Sequence, residues 1–248
     1  MKNPIIALAP IRYFDISKED NLEKVKKYIN LAKKSKADII CFPESTLHKK
    51  TLHLEHKIIK EVCEECKKNS IWCIVTEDMK IGNKFYNTSL LINRKGEIKG
   101  KYKKIHLYDE EHLSKGNKVE VFKTDFGKIG IVVCWDLAFP ALFKKMKRAG
   151  AQIVFCPSYW CYEEKAHDKE HKQREIQILK SLISARAFEN LFFVALCNPL
   201  VDRKDMVSYS AIVSPHHILQ ESVDSEKIMI QKIELSEIER AERIYKNV

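Results

Sequence analysis

Strand-like apolar runs alternate with amphipathic helical segments from Pro4 to Asp78, and this alternation restricts the fold more than any other feature of the chain. PIIALAPI reads as a strand, and residues 20–35 (DNLEKVKKYINLAKKS) read as a helix with apolar positions at helical spacing. ADIICFPE is a second buried strand, residues 53–68 a second helix, and SIWCIVTED a third strand. Such a β-α-β-α-β series calls for parallel pairing and right-handed crossovers. The middle changes character. FYNTSLLINRKGEIKGKYKK reads as two strands joined at Arg-Lys-Gly, an antiparallel hairpin, and KVEVFKTDFGKIGIVVC repeats the form with a turn at Asp-Phe-Gly-Lys. The α/β rhythm then resumes with a helix over 137–149, a strand over 152–156, a long helix around 169–188 and a strand over 191–197. SYSAIVSP, HILQESV and KIMIQKIE return to β before a short charged helix. This order fits a two-layer sheet core with helices outside. No composition break or fixed-period repeat divides the chain, so a single domain over 1–248 is expected.

The N-terminus, MKNPIIALAPIRYFD, lacks a small-residue cleavage site and reads as a first strand, not a signal peptide. No apolar run approaches the roughly 20 residues that span a bilayer. A cytoplasmic protein without a membrane partner is expected. The net charge of +10 raises a nucleic-acid role. The basic residues are scattered, however, in KKSK, KYKK, KKMKR and EHKQR, and lie among acids. With no basic ribbon interleaved with aromatics and no zinc-finger or helix-turn-helix spacing, they read as a solvated surface and no nucleic-acid partner is expected. The eight cysteines do not suggest a secreted disulfide framework in a chain this large. Cys63-Glu-Glu-Cys66 resembles half of a zinc site but has no second half, and it falls in a helical pattern. His167 and His171 lie four apart without a third ligand and read as surface.

Three segments carry candidate chemistry. IGIVVC is a buried strand, and Asp136, Leu137 and Pro140 signal a helix start, with Asp136 as its cap. Cys134 would then sit at a strand-to-helix turn beside a helix N-terminus, which lowers a thiol pKa and favours the attacking thiolate. In DIICFPEST, an apolar run ends in Pro-Glu and places Glu44 at the C-terminal end of a strand, the edge where open α/β sheets bind ligands. Partial desolvation there suits a general base. Taken singly, Glu44 reads as a helix cap or surface ion pair. In GKYKKIHLYDEEH, Tyr102, Lys104 and His106 alternate with Lys103, Ile105 and Leu107, so one of the two lysines should point inward. An ammonium beside a reacting carbonyl can stabilise an oxyanion.

In this chain order FPE, YKKIHL and VCWD resemble the carbon–nitrogen hydrolase (nitrilase/amidase) superfamily, and SARAFENLFFVALCNP is similar to that family's ARA-x-EN-x-x-x-V stretch. The resemblance runs from about residue 4 to the end of the chain. It implies a four-layer αββα sandwich in which Glu44 is the general base, Lys104 the oxyanion stabiliser and Cys134 the nucleophile. The backbone N–H of Trp135 would be the second oxyanion donor. Many members carry a further glutamate after His-Leu that helps position the substrate; counting forward from Lys104 gives Glu111, counting back from Gly116 gives a site nearer Glu110, and Glu111 is the one expected. The implied reaction is hydrolysis of a small amide or N-carbamoyl amine through a thioester, with no metal or organic cofactor.

Many amidase members continue the cysteine motif as D-x-R-F-P-E, whereas here Ala138 and Ala141 replace the Arg and Glu. Asp136 follows the amidase pattern, since nitrilases usually carry Glu there, so amide hydrolysis is preferred to nitrile hydrolysis. Acyl transfer and a silent scaffold member are the rival readings; the intact Glu-Lys-Cys set argues against the second. Ser158, Tyr159 and Trp160, in the segment CPSYWCYEEKAHD, are the expected substrate-pocket residues, and the two aromatics could form an apolar or cation-binding wall. The resemblance also implies a homodimer or larger homo-oligomer, with the C-terminal segment, about 222–248, packing on a neighbouring subunit.

Overall fold

The structure, a computed structural model, describes residues 3–14, 18–108, 112–161, 169–201 and 207–245. The first half runs β1 (Ile5–Leu8), α1 (Leu22–Lys34), β2 (Ile39–Glu44), α2 (Lys57–Asn69), β3 (Trp72–Ile81), β4 (Lys84–Ile92) and β5 (Ile98–Lys103). The second runs β6 (Val121–Lys123), β7 (Lys128–Ile131), α3 (Pro140–Arg148), β8 (Ile153–Pro157), α4 (Lys169–Asn190), β9 (Phe193–Cys197), β10 (Tyr209–Val213) and β11 (Ile218–Val223). β12 (Met229–Lys232) and α5 (Ser236–Ile244) follow. The strands form two six-stranded sheets, ordered β12-β1-β2-β3-β4-β5 and β11-β10-β9-β8-β7-β6. In each, a parallel trio (β1-β2-β3 and β7-β8-β9) is flanked by antiparallel strands. The two sheets therefore share one topology, although β12 crosses back to close the edge of the first.

The layering follows from side-chain alternation. Along β2, Ile39 and Cys41 join the apolar cluster that also holds Ile131, Val154 and Leu196 of the second sheet, so this face packs sheet on sheet. Ile40 and Phe42 point the other way, into a cluster with Val25 and Ile29 of α1 and Ile59 and Val62 of α2. In α1 the buried residues Leu22, Val25, Ile29 and Ala32 recur at steps of three and four, which gives one apolar stripe for that face. Helices α3 and α4 cover the outer side of the second sheet through Leu142, Phe143, Met146, Leu179 and Ile183. The result is an αββα sandwich.

The expected helix over 137–149 is displaced. Cys134–Ala138 form a 3-10 turn, and α3 begins at Pro140, the first helical position, where a missing N–H costs nothing. Asp136 does not cap α3; its Oδ2 turns back to accept the Val133 N–H at 3.1 Å. Within the C-terminal segment, β12 pairs with β1 of the same chain and Glu242 of α5 meets Lys147 of α3 at 2.6 Å.

Candidate active site

Glu44 is the last residue of β2, where the chain leaves the sheet through Ser45 in a left-handed conformation, φ 52°. The Glu44 N–H donates to the Ser158 carbonyl across the sheet-to-sheet interface at 3.2 Å. Its carboxylate is held on both oxygens: Oε1 accepts from Lys104 Nζ at 3.0 Å, and Oε2 accepts from the Tyr159 N–H at 3.0 Å. Glu44 and Lys104 are 4% and 1% exposed, so this ion pair lies inside the protein, where a charge persists only if paired and hydrogen-bonded.

Lys104 is the first residue beyond β5. Its N–H donates to the Asn87 carbonyl at 2.9 Å and its carbonyl accepts from the Gly116 N–H at 2.7 Å, which fixes the backbone on both sides. A Cβ on Gly116 would collide with the Lys103 carbonyl oxygen, so this close approach requires glycine. The alternation of the strand then separates the two lysines. Lys103 Nζ lies 3.8 Å from the centre of the Tyr86 ring, while Lys104 turns to Glu44.

Cys134 follows β7 with φ 46°, a left-handed conformation that a non-glycine residue adopts only where its surroundings enforce it. The enforcing group is Asp136, which is fully buried. Its carboxylate accepts from the Val133 N–H, from the Tyr102 hydroxyl at 2.7 Å and from the His106 N–H at 2.8 Å, and its Oδ1 lies 3.0 Å from His106 Nδ1. One carboxylate thus binds the cysteine turn to residues on either side of Lys104. From the other side, buried Arg186 of α4 donates to the carbonyls of Leu137 and Ala138 at 3.1 and 3.3 Å, which closes the same turn. The Arg186 of SARAFEN therefore has a physical task next to the cysteine.

The thiol differs from expectation. Burial, and then the negative charge of Glu44, push Cys134 up to about 12, although Lys104 and the Tyr159 N–H favour the thiolate. The lowered thiol pKa expected from a helix N-terminus is not found, because α3 starts only at Pro140 and the sulfur is withdrawn from water.

Glu44, Lys104 and Cys134 line one cavity of about 480 Å³, a volume typical of small-molecule sites, together with Trp135, Tyr159 and Trp160. Ser158 is fully buried and is not among the described lining residues; its Oγ has no hydrogen-bond partner among the described residues. Glu111 and its alternative Glu110 lie outside the described residues, as does His167, while His171 is half-buried on α4. Cys63 and Cys66 lie on α2, and among the described residues no group of three His, Cys, Asp or Glu could hold a metal ion. None of the described helices is long and apolar enough to cross a membrane. The cavity also takes Tyr13, Asp78, Asn87, Tyr108 and Glu175 from separate elements, none of which the sequence reading singled out. No local pattern marks them; only the fold brings them together.

A cysteine on an enforced turn, sharing a cavity with a buried carboxylate–ammonium pair, is an arrangement suited to nucleophilic attack on an acyl carbon. The Carbon-nitrogen hydrolase family profile matches residues 5–243, and the chain belongs to that family. It is 29% identical over 234 residues to the deaminated glutathione amidase of Dictyostelium discoideum, covering 80% of this chain and 76% of the relative. It is 28% identical over 247 residues to the 2-oxoglutaramate amidase of Bacillus subtilis (strain 168), covering 90% and 89%. Among solved structures, Saccharomyces cerevisiae Nit3, a member of branch 10 of the nitrilase superfamily, matches with a TM-score of 0.85 at 23% identity, over 99% of this chain and 95% of that one. The chain is an amidase-type carbon–nitrogen hydrolase with the nitrilase-superfamily fold.

Proposed function

We propose that the chain hydrolyses the C–N bond of a small amide or N-carbamoyl amine through a thioester on Cys134. Glu44 takes the thiol proton as the sulfur attacks the carbonyl carbon. The oxyanion that forms is held by the Lys104 ammonium and the Trp135 N–H. Glu44 returns the proton to the leaving nitrogen, which departs as ammonia or an amine and leaves the acyl group on sulfur. Glu44 then deprotonates a water that attacks the thioester; the acid departs and the thiol is restored. The observation that carries this reading is the Glu44–Lys104 pair, 3.0 Å apart and buried in the cavity of Cys134. With the thiol pushed up to about 12, the resting site keeps its proton on sulfur, so deprotonation belongs to the attack step.

The Tyr159 N–H supports the role of Glu44 by fixing the carboxylate without occupying the oxygen that faces Lys104. A buried ammonium beside an acyl carbon gains strength from the low local dielectric. The enzyme acts as one domain and as a homo-oligomer in a cytoplasmic setting, with small molecules, not nucleic acid or membranes, as its partners. A panel of ω-amides, N-carbamoyl amines and nitriles, read by ammonia release, tests the reaction class. Amides or carbamoyl amines are expected to turn over faster than nitriles; a panel in which only nitriles react would overturn the amide reading.

A further inference from the structure

We infer that the pocket selects substrates whose far end carries a protonated amino group. The inference rests on the hydrolase reading above and adds a substrate class to it. Outside the Glu44–Lys104–Cys134 set, the charged side chains among the described lining residues are both carboxylates. Asn87 is 3% exposed, and its Nδ2 is committed to Asp78 Oδ1 at 3.0 Å. Its Oδ1 is buried without a hydrogen-bond partner among the described residues.

Two carboxylates, Asp78 and Glu175, line the same cavity. Glu175 is placed from α4 by the Trp160 indole N–H, which donates to its Oε1 at 2.7 Å. Lys104 is the only Lys or Arg among the described lining residues, and its ammonium is engaged with Glu44. The apolar part of the wall is aromatic. Tyr13 stacks on Tyr159 with centroids 4.8 Å apart, and Trp135 and Trp160 lie 5.6 Å apart. Aromatic faces beside carboxylates attract an ammonium, and the two carboxylates repel an anionic substrate end. This cavity therefore differs in charge logic from one built for an anion such as 2-oxoglutarate amide, the type of substrate named for the Bacillus subtilis relative.

The test compares three amides of matched length: δ-aminovaleramide, which is cationic, valeramide, which is neutral, and glutaramate, which is anionic. The expected order of kcat/KM is cation, then neutral, then anion, with the preference weakening as salt is raised. Glu175→Gln keeps an acceptor for the Trp160 indole and removes only the charge, so it should cut the cation-to-neutral ratio about tenfold, mainly through KM. A wild-type enzyme that prefers valeramide or glutaramate overturns the inference while the hydrolase reading stands. So does a Glu175→Gln variant of unchanged thermal stability whose ratio does not move. No ammonia from any of the three, with no acyl mass on Cys134, removes the hydrolase reading and this inference together.

Discussion

The floor and the wall of the cavity are built differently. On the floor, Glu44, Lys104 and Cys134 sit at or just past the ends of β2, β5 and β7; backbone hydrogen bonds fix Glu44 and Lys104, and the Val133 N–H bond to Asp136 fixes the turn that holds Cys134. Asp136 and Arg186 then bind the cysteine turn to its surroundings. The wall is assembled from side chains of distant segments: Tyr13 after β1, Tyr108 after β5, Tyr159 and Trp160 after β8, and Glu175 on α4. It is joined by ring contacts and one indole–carboxylate bond. Reaction chemistry tolerates little displacement, so it belongs on the sheet edge; recognition can vary with the loops. Substitutions on the floor should therefore act on kcat, and those on the wall on KM.

The largest break expected on the floor is Cys134→Ala, which should lower kcat/KM by about 10⁵-fold with the fold retained, measured by ammonia release and thermal unfolding. Hydrolysis within tenfold of wild type would remove the nucleophile. Glu44→Gln and Lys104→Ala should each cost about 10³-fold, mostly in kcat, the scale of a lost base or oxyanion donor. A pure KM effect in either would place that residue with the wall. A pH series of iodoacetamide alkylation sharpens the same point. Because the folded thiol is pushed up to about 12, the thiolate fraction should rise about tenfold per pH unit through neutrality and beyond pH 9. A plateau near neutrality would show a standing thiolate instead.

On the wall, Tyr159→Ala removes the ring that stacks on Tyr13 but leaves the N–H that holds Glu44. KM should rise about tenfold with kcat little changed, and a kcat loss of 10²-fold or more would erase the distinction between the two regions. The smallest effect expected is on stability. Tyr102→Phe deletes one of the donors to buried Asp136 and should cost about 1–3 kcal/mol in denaturant unfolding, with a modest loss of kcat. Unchanged stability would mean that the Asp136 web does not hold the cysteine turn.

The same division sets how much could be read from the sequence. Glu44 stands out because an all-buried run, Ile39–Glu44, ends in it, and Cys134 because β7 runs apolar up to its turn. Strand alternation limits the choice at Lys103 and Lys104 to one inward lysine, the family pattern points to Lys104, and Lys104 is the one that turns to Glu44 while Lys103 lies over Tyr86. The register of α3 was misread because Asp136 and Pro140 both signal a helix start, and only the fold shows that Asp136 serves Val133, Tyr102 and His106 instead. The thiol departs from expectation for a related reason: burial is a property of the packed sandwich, not of the residues beside the cysteine in the chain. Asn87 and Glu175 left no sequence signal, since their meeting depends on how β4 and α4 close over the cavity.

The central claim is that Cys134 carries the acyl group during turnover. Enzyme quenched in acid while hydrolysing an amide, then digested and mapped by mass, reads this directly. The expected result is an acyl mass on the peptide containing Cys134 that appears during turnover and disappears when substrate is exhausted. Sustained ammonia release with the acyl group on another residue, or with Cys134 unmodified at every quench time, would contradict it.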